Sequence, residues 1–303
     1  MPLLGRPDGE YVKDAPTLRR MIPFLMLGRN EAAVYFEQSL DVENTLAFCN
    51  KHSDEDVPLS FFHVLVAGYV RVLALRPKLH QFVSGKRLYR RKHLEISFAV
   101  KKEFSDSGGL STVKVRFEPD DDLRAVAEKI SKATNGGRKK EKNHAEKEMA
   151  LLTKLPRFLL STIMRLQKTL DYYNLFPGFM IEPDPMYASL FLANLGSLGL
   201  DSAYHHLYEY GTIPLFATIG CIKPTPVLLD DGQWTKRPKV IIRYTFDERI
   251  ADGFYCVKGL ELFARMVENP ELLLQPFDQT ESLLKEMQQN QHSLSSSLST
   301  ISI

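Results

Sequence analysis

Apolar positions recur along this chain with two periods. Over 59–75 they run almost unbroken, which predicts a helix buried on all sides that stops at Arg76-Pro77. Over 120–134, Leu123, Val126, Ala127 and Ile130 share one face of an amphipathic helix with Asp residues at its start. Alternation predicts strands over 33–42, 80–83, 87–90, 94–100 and 111–117. A short helix is expected from Thr17, with Pro23 tolerated near its first turn, and another over 42–52. Residues 223–239 read as a hairpin excursion whose turn is Asp230-Asp231-Gly232. The β-branched run Val240-Ile241-Ile242 then leads through a charged turn into an apolar helical segment over 254–268, and a last helix is expected to close over 263–274.

These elements divide the chain into an N-terminal arm (1–16), a domain over 17–277 and a polar, Ser-rich tail (278–303). Within the domain, 135–185 stands apart as a basic, amphipathic insertion. Leu151, Leu152, Leu155, Phe158, Leu159, Ile163, Leu166 and Leu170 recur there at helical spacing among Lys154, Arg157, Arg165 and Lys168. Such a helix packs on the domain, lies on a lipid surface or lines an apolar channel, and the pattern leaves these open. The cluster Arg138-Lys139-Lys140 reads as solvated surface or as a phosphate contact.

Chemistry concentrates at Asp247-Glu248-Arg249, with Asp252 four residues after Glu248 and Gly253 next. Charges crowded where a strand gives way to a helix are candidate catalytic groups, and equally a solvated turn with an Asp N-cap. This stretch resembles the Asp-His-Arg-x-x-Asp-Gly signature of the acyltransferase (E2) catalytic domains of 2-oxoacid dehydrogenase complexes. Chloramphenicol acetyltransferase carries a similar sequence. A second stretch, Ala193-Asn194-Leu195-Gly196 with Gly199, resembles the family's Ser-Asn-Leu-Gly-x-x-Gly. The resemblance implies an α/β sandwich of the chloramphenicol-acetyltransferase type, a mixed sheet flanked by helices. It implies a homotrimer with sites between subunits, and coenzyme A or an acyl-CoA as substrate. It also implies that Arg19, in the first helix, pairs with Asp252.

Two family positions differ. The general base is Glu248 instead of His, and the oxyanion-binding Ser is Ala193. A glutamate is about two pKa units weaker as a base than a histidine, a deficit of roughly 3 kcal/mol, which burial of such a carboxylate largely recovers. A missing oxyanion donor costs about 3–4 kcal/mol unless another group, such as the Asn194 amide, replaces it. The expected catalytic set is therefore Glu248, Asp252, Asn194 and Arg19. Arg249, Ala193, Gly196, His205 and His206 are expected around the substrate. The pair His205-His206 is a substitute base or a structural element of its loop, and is too sparse for a metal site.

Composition narrows the classes. The chain has 303 residues, 44% apolar and 25% charged, with a net charge of +2, and no global field favours nucleic acid. Three scattered cysteines suggest a reducing compartment without structural metal. With no apparent signal peptide or spanning segment, a cytoplasmic location is expected. The family's lipoyl and subunit-binding domains have no room, so no covalent lipoyl group is expected. The reading is a stand-alone, CoA-dependent acyltransferase-like protein acting on a small-molecule or acyl-thioester substrate with a modified site. The alternative is an inactive trimeric binding or scaffold protein that touches a membrane surface peripherally.

Overall fold

The computed structural model describes residues 5–54, 56–101, 110–137, 152–229, 231–280 and 282. The basic cluster at 138–140 and nearly all of the tail lie outside them. In chain order the elements are β1 (Gly9–Tyr11), α1 (Thr17–Leu25), β2 (Ala33–Asp41), α2 (Glu43–Lys51), α3 (Phe61–Leu75), β3 (Gln81–Ser84), β4 (Arg87–Arg91), β5 (Leu94–Lys101), β6 (Leu110–Phe117) and α4 (Leu123–Gly137). They continue with α5 (Arg157–Tyr172), α6 (Gly178–Ile181), β7 (Leu190–Asn194), β8 (Leu215–Ile219), β9 (Lys223–Leu228), β10 (Trp234–Asp247) and α7 (Gly253–Glu268).

A seven-stranded mixed sheet runs in the order β2-β10-β8-β7-β5-β6, with β9 on β10, and β1-β4-β3 form a small sheet beside it. β7 is parallel to both β5 and β8, while the other pairs are antiparallel. Period-two alternation sorts the side chains between two faces. Leu190, Leu192, Leu215, Ala217, Ile242, Tyr244 and Phe246 enter the main core with α3 and α7. Phe191 and Phe216 face the opposite side, in a smaller cluster with Leu207 and Ile213. The polar residues of that second face are satisfied by a segment crossing it. Ser97 Oγ donates to Pro185 O at 2.7 Å, and the hydroxyls of Thr218 and Thr245 donate to the carbonyls of Ala203 and His205.

α3 is buried on nearly every side, as its uninterrupted apolar run predicts. Ser60 and His63 form a reciprocal capping box at its start, worth about 1 kcal/mol. The hairpin expected over 223–239 is present, β9 pairing antiparallel with the first part of β10 from Trp234↔Leu228 to Lys239↔Lys223, and its second arm runs on unbroken as the motif strand to Asp247. Two expectations are corrected. The segment after α7 is a 3-10 turn, Pro270–Leu274, since Pro270 cannot continue the helix. Pro23 sits near the end of α1, where its missing N–H helps terminate the helix.

α5 is positioned by polar anchors. None of its residues is buried. Its last turn is tied to the N-terminal arm by Arg6, whose guanidinium pairs with Asp171 and Asp8 at 2.8 Å each. Leu170 packs on the small cluster of Phe176, Ile181 and Tyr187. Gln167 donates to the Tyr210 hydroxyl, which donates to Asp184. Among the described residues, no helix is long and apolar enough to cross a membrane.

Candidate active site

The charged turn folds around its own first carboxylate. Asp247 leaves β10 with its backbone N–H on Pro214 O at 2.9 Å, and Glu248 N–H reaches Ala32 O at 2.8 Å. Arg249 turns back onto Asp247 with a bidentate pair, Nε–Oδ1 2.8 Å and Nη2–Oδ2 2.7 Å, and both side chains are buried. Its Nη1 also reaches the carbonyls of Met26 and Leu27. Arg249 thus ties the turn to the end of α1, and its guanidinium is occupied within the protein. Glu248 is left as the turn's partly exposed carboxylate.

Asp252 caps α7. Its Oδ1 accepts the Tyr255 N–H at 2.8 Å, an N-cap bond that, with Arg19 nearby, holds the carboxyl below its ordinary pKa. Arg19 bridges the two ends of the motif. One guanidinium nitrogen donates to the Glu248 carbonyl, and the other lies 3.9 Å from Asp252 Oδ2. Arg19, Glu248 and Asp252 are therefore brought together, on a cleft that Arg19, Asp252, Tyr255 and Lys78 help to line.

The other motif lies elsewhere. Ala193 and Asn194 end β7. The Asn194 Oδ1 accepts Ser197 N–H at 3.1 Å and caps the turn that follows, leaving its amide N–H₂ as a donor. Gly196 is required here, because a Cβ would meet the Gly220 carbonyl oxygen at 2.4 Å. Gly199 turns the chain at a φ of 73°. The Ala193 methyl leans on the second-face cluster. Register measures the separation. Asn194 pairs with Ile219, and Ile219 pairs with Ile242. Glu248 is six residues further along, about 20 Å at ~3.3 Å per residue. Within one chain, the Asn194 turn and the Glu248 turn do not meet.

His205 and His206 lie between these two ends. His205 stacks on Phe216 with ring centroids 3.9 Å apart, and its Nδ1 contacts the His206 carbonyl at 2.7 Å. Burial pushes its pKa down. The His206 Nδ1 is likewise against a backbone carbonyl, that of Leu207. Neither ring touches the Glu248 turn through a hydrogen bond in the described structure. Among the described residues, no group of three or more His, Cys, Asp or Glu is arranged to hold a metal ion.

One feature beside the turn has no counterpart in the sequence reading. Arg29, in the segment before β2, is 7% exposed and donates through Nη1 to the carbonyls of Tyr208 and Glu209. An arginine in a polar loop reads as solvated surface, and only the packing reveals it as buried.

No protein-family profile matches the sequence, and no curated protein matches it significantly. Solved structures do resemble it. The cubic core of the pyruvate dehydrogenase multienzyme complex is 16% identical with a TM-score of 0.58, covering 88% of this chain and 95% of that one. A dihydrolipoamide acetyltransferase from Azotobacter vinelandii has the same values. Its catalytic mechanism has been probed through a serine, a histidine and an asparagine four positions after that histidine. A truncated catalytic core of the 2-oxoacid dehydrogenase multienzyme complex from Thermoplasma acidophilum is 14% identical at a TM-score of 0.54, covering 86% of this chain and 99% of that one. At these identities the likeness is one of fold.

Proposed function

We propose that this chain, whose fold is that of the 2-oxoacid dehydrogenase acyltransferase catalytic cores, is a stand-alone, CoA-dependent acyltransferase whose site is completed between copies of itself. The observation that carries the reading is the pair of half-sites. Arg19, Glu248 and Asp252 converge at one end of the sheet, and the Asn194 turn lies about 20 Å away at the other. Two halves that cannot meet in one chain are accounted for by an assembly in which the Glu248 turn of one copy faces the Asn194 turn of the next. A homotrimer closes such a head-to-tail contact with the fewest copies that the resemblance supports.

In that site Glu248 acts as the base. Its carboxylate takes the proton from the acceptor's thiol or hydroxyl as that atom attacks the thioester carbonyl carbon. The new acyl–acceptor bond forms, the carbon–sulfur bond of the acyl-CoA breaks, and the proton passes to the departing CoA thiolate. Arg19 holds the Glu248 carbonyl and the Asp252 carboxylate, so the turn presents the base without reorganisation. The Asn194 amide N–H₂ is the donor toward the developing oxyanion, since Ala193 offers none.

Calorimetric titration of the whole protein with CoA, a short acyl-CoA and a long acyl-CoA tests the reading, with light scattering to count subunits. Binding by a trimer, and loss of turnover in Glu248→Gln with binding retained, support it. A monomer that binds no CoA at millimolar ligand overturns it. A second reading, an inactive trimeric binding protein that touches a membrane surface, is favoured by the exposed Phe158 and Leu166 on the basic helix α5. Co-sedimentation with anionic vesicles that is lost on replacing Leu159, Ile163 and Leu166 by Ser, without any CoA binding, would put it ahead.

A further inference from the structure

A cavity of about 530 Å³ opens between α1, the β3–β4 turn, α5 and the segment before β8, within the size range of small-molecule sites. Its lining includes the apolar side chains of Leu27, Val83, Met164 and Tyr172. It also carries charge. Four cations line it, Arg29, Lys86, Lys168 and Arg249, against two carboxylates, Asp171 and Glu209.

The ion pairs leave an excess of positive charge. Arg249 is neutralised by Asp247, and Asp171 by Arg6. Among the described residues, Arg29, Lys86 and Lys168 have no carboxylate within ion-pair distance. Glu209 accepts the backbone and side-chain N–H groups of Asn30 at 3.0 and 3.1 Å. Arg29 is the most telling of the three. It is 7% exposed, only its Nη1 has a hydrogen-bond partner in the described structure, and both bonds go to neutral carbonyls. Asp247, Glu209 and Asp171 act on the Arg29 guanidinium only from beyond ion-pair distance, Asp247 and Asp171 are already paired with Arg249 and Arg6, and the Arg249 charge opposes them, so burial of Arg29 remains costly and an anion in the cavity offsets that cost. Lys86 is held at the edge by a left-handed backbone (φ 59°), its ammonium 5.0 Å from the centroid of the half-exposed Phe24 ring.

We propose that this cavity binds a single-chain anionic amphiphile, a carboxylate or phosphate carried on a hydrocarbon chain. The headgroup sits among Arg29, Lys86 and Lys168, and the chain lies along Leu27, Met164 and Tyr172. The site is formed by α5, the β3–β4 turn, the segment between α1 and β2 and the segment before β8. It goes beyond the acyl-transfer reading, and CoA binding can fail while this site stands.

The test is displacement of a fluorescent fatty acid from the full-length protein. The competitors are dodecanoate, dodecyl phosphate, dodecanol, acetate, inorganic phosphate, and phosphatidylcholine vesicles with and without phosphatidic acid. Dodecanoate and dodecyl phosphate are expected to compete, with dodecanol about tenfold weaker for want of the charge. Lys86→Glu and Lys168→Glu, both on the surface, each weaken dodecanoate about tenfold, and Met164→Trp, which fills the cavity, abolishes binding. Arg29→Gln adds a direct check if its circular dichroism stays native. Dodecanol matching dodecanoate, acetate or phosphate competing as well as the long-chain anions, binding to vesicles only, or charge reversals without effect would each overturn the proposal. CoA titration of the same variants separates failure here from failure of the acyltransferase reading.

Discussion

Removing the Asp247 charge probes how the motif turn is built. Asp247 and Arg249 have side chains 1% and 5% exposed, joined at 2.8 and 2.7 Å. Asp247 also accepts the Arg249 backbone N–H at 3.1 Å. Asp247→Asn keeps the volume, so no cavity term enters. What it leaves is a buried guanidinium that has lost its counter-charge and one acceptor, with the neutral amide oxygen of the substituted side chain and the carbonyls of Met26 and Leu27 at 3.4 and 3.3 Å as its remaining partners. Breaking one side of such a buried pair costs about 3–5 kcal/mol. Against a typical domain stability of about 5–15 kcal/mol, that is roughly a fifth of the total or more. The assay is urea denaturation at fixed protein concentration, because stability of an oligomer depends on concentration. The double variant Asp247→Asn/Arg249→Met removes the stranded charge and is expected to recover about half of the loss. A single-variant loss below about 1 kcal/mol, or a double variant no better than the single, would refute the account of the turn as an ion-pair clamp.

Further expectations follow from the same geometry. Gly196→Ala places a Cβ 2.4 Å from the Gly220 carbonyl oxygen and should lower stability by about 2–4 kcal/mol, whereas Gly253→Ala meets open space and should change it by less than about 1 kcal/mol; paired thermal melts distinguish them. His80, held 2.9 Å from Ser189 Oγ, has its pKa pushed down to about 3 by burial first and then by Arg91, Arg90 and His93. The unfolded chain therefore binds a proton below about pH 6.5 that the folded chain refuses. Stability should fall as pH drops from about 6.5 toward 3, by up to ~1.4 kcal/mol per unit, and His80→Gln should flatten that slope in denaturation curves taken across the range. Glu248→Gln should leave CoA binding within about twofold while abolishing acyl transfer, and equal transfer rates would remove Glu248 from the role of base.

Much of the architecture was legible as pattern. Alternation along β2, β5 and β6 is local information, since the pleat sends successive side chains to opposite faces of the sheet. The buried helix α3 was legible for the same reason, and so was Gly196, whose requirement came through as a motif. Asp252 as the cap of α7 follows from its place just ahead of an apolar helical run. These features depend on residues within a few positions of one another, and short-range spacing encodes them.

The tertiary structure decided the rest, because it depends on pairings across long stretches of chain. Strand register puts Asn194 and Glu248 at opposite ends of the sheet, although both belong to the same expected site. Arg6 reaches Asp171, far along the chain, and so sets where α5 lies. Arg249 turns inward onto Asp247, and its written charge gave no sign of whether it would face a substrate or its own turn. Arg29 is the sharpest case. Nothing in its neighbours distinguishes it from a solvated loop arginine, and its burial exists only because the segment before β8 closes over it. Sequence wrote the elements and the chemistry of their ends; packing chose which of those charges meet, which are neutralised, and which remain to face a ligand.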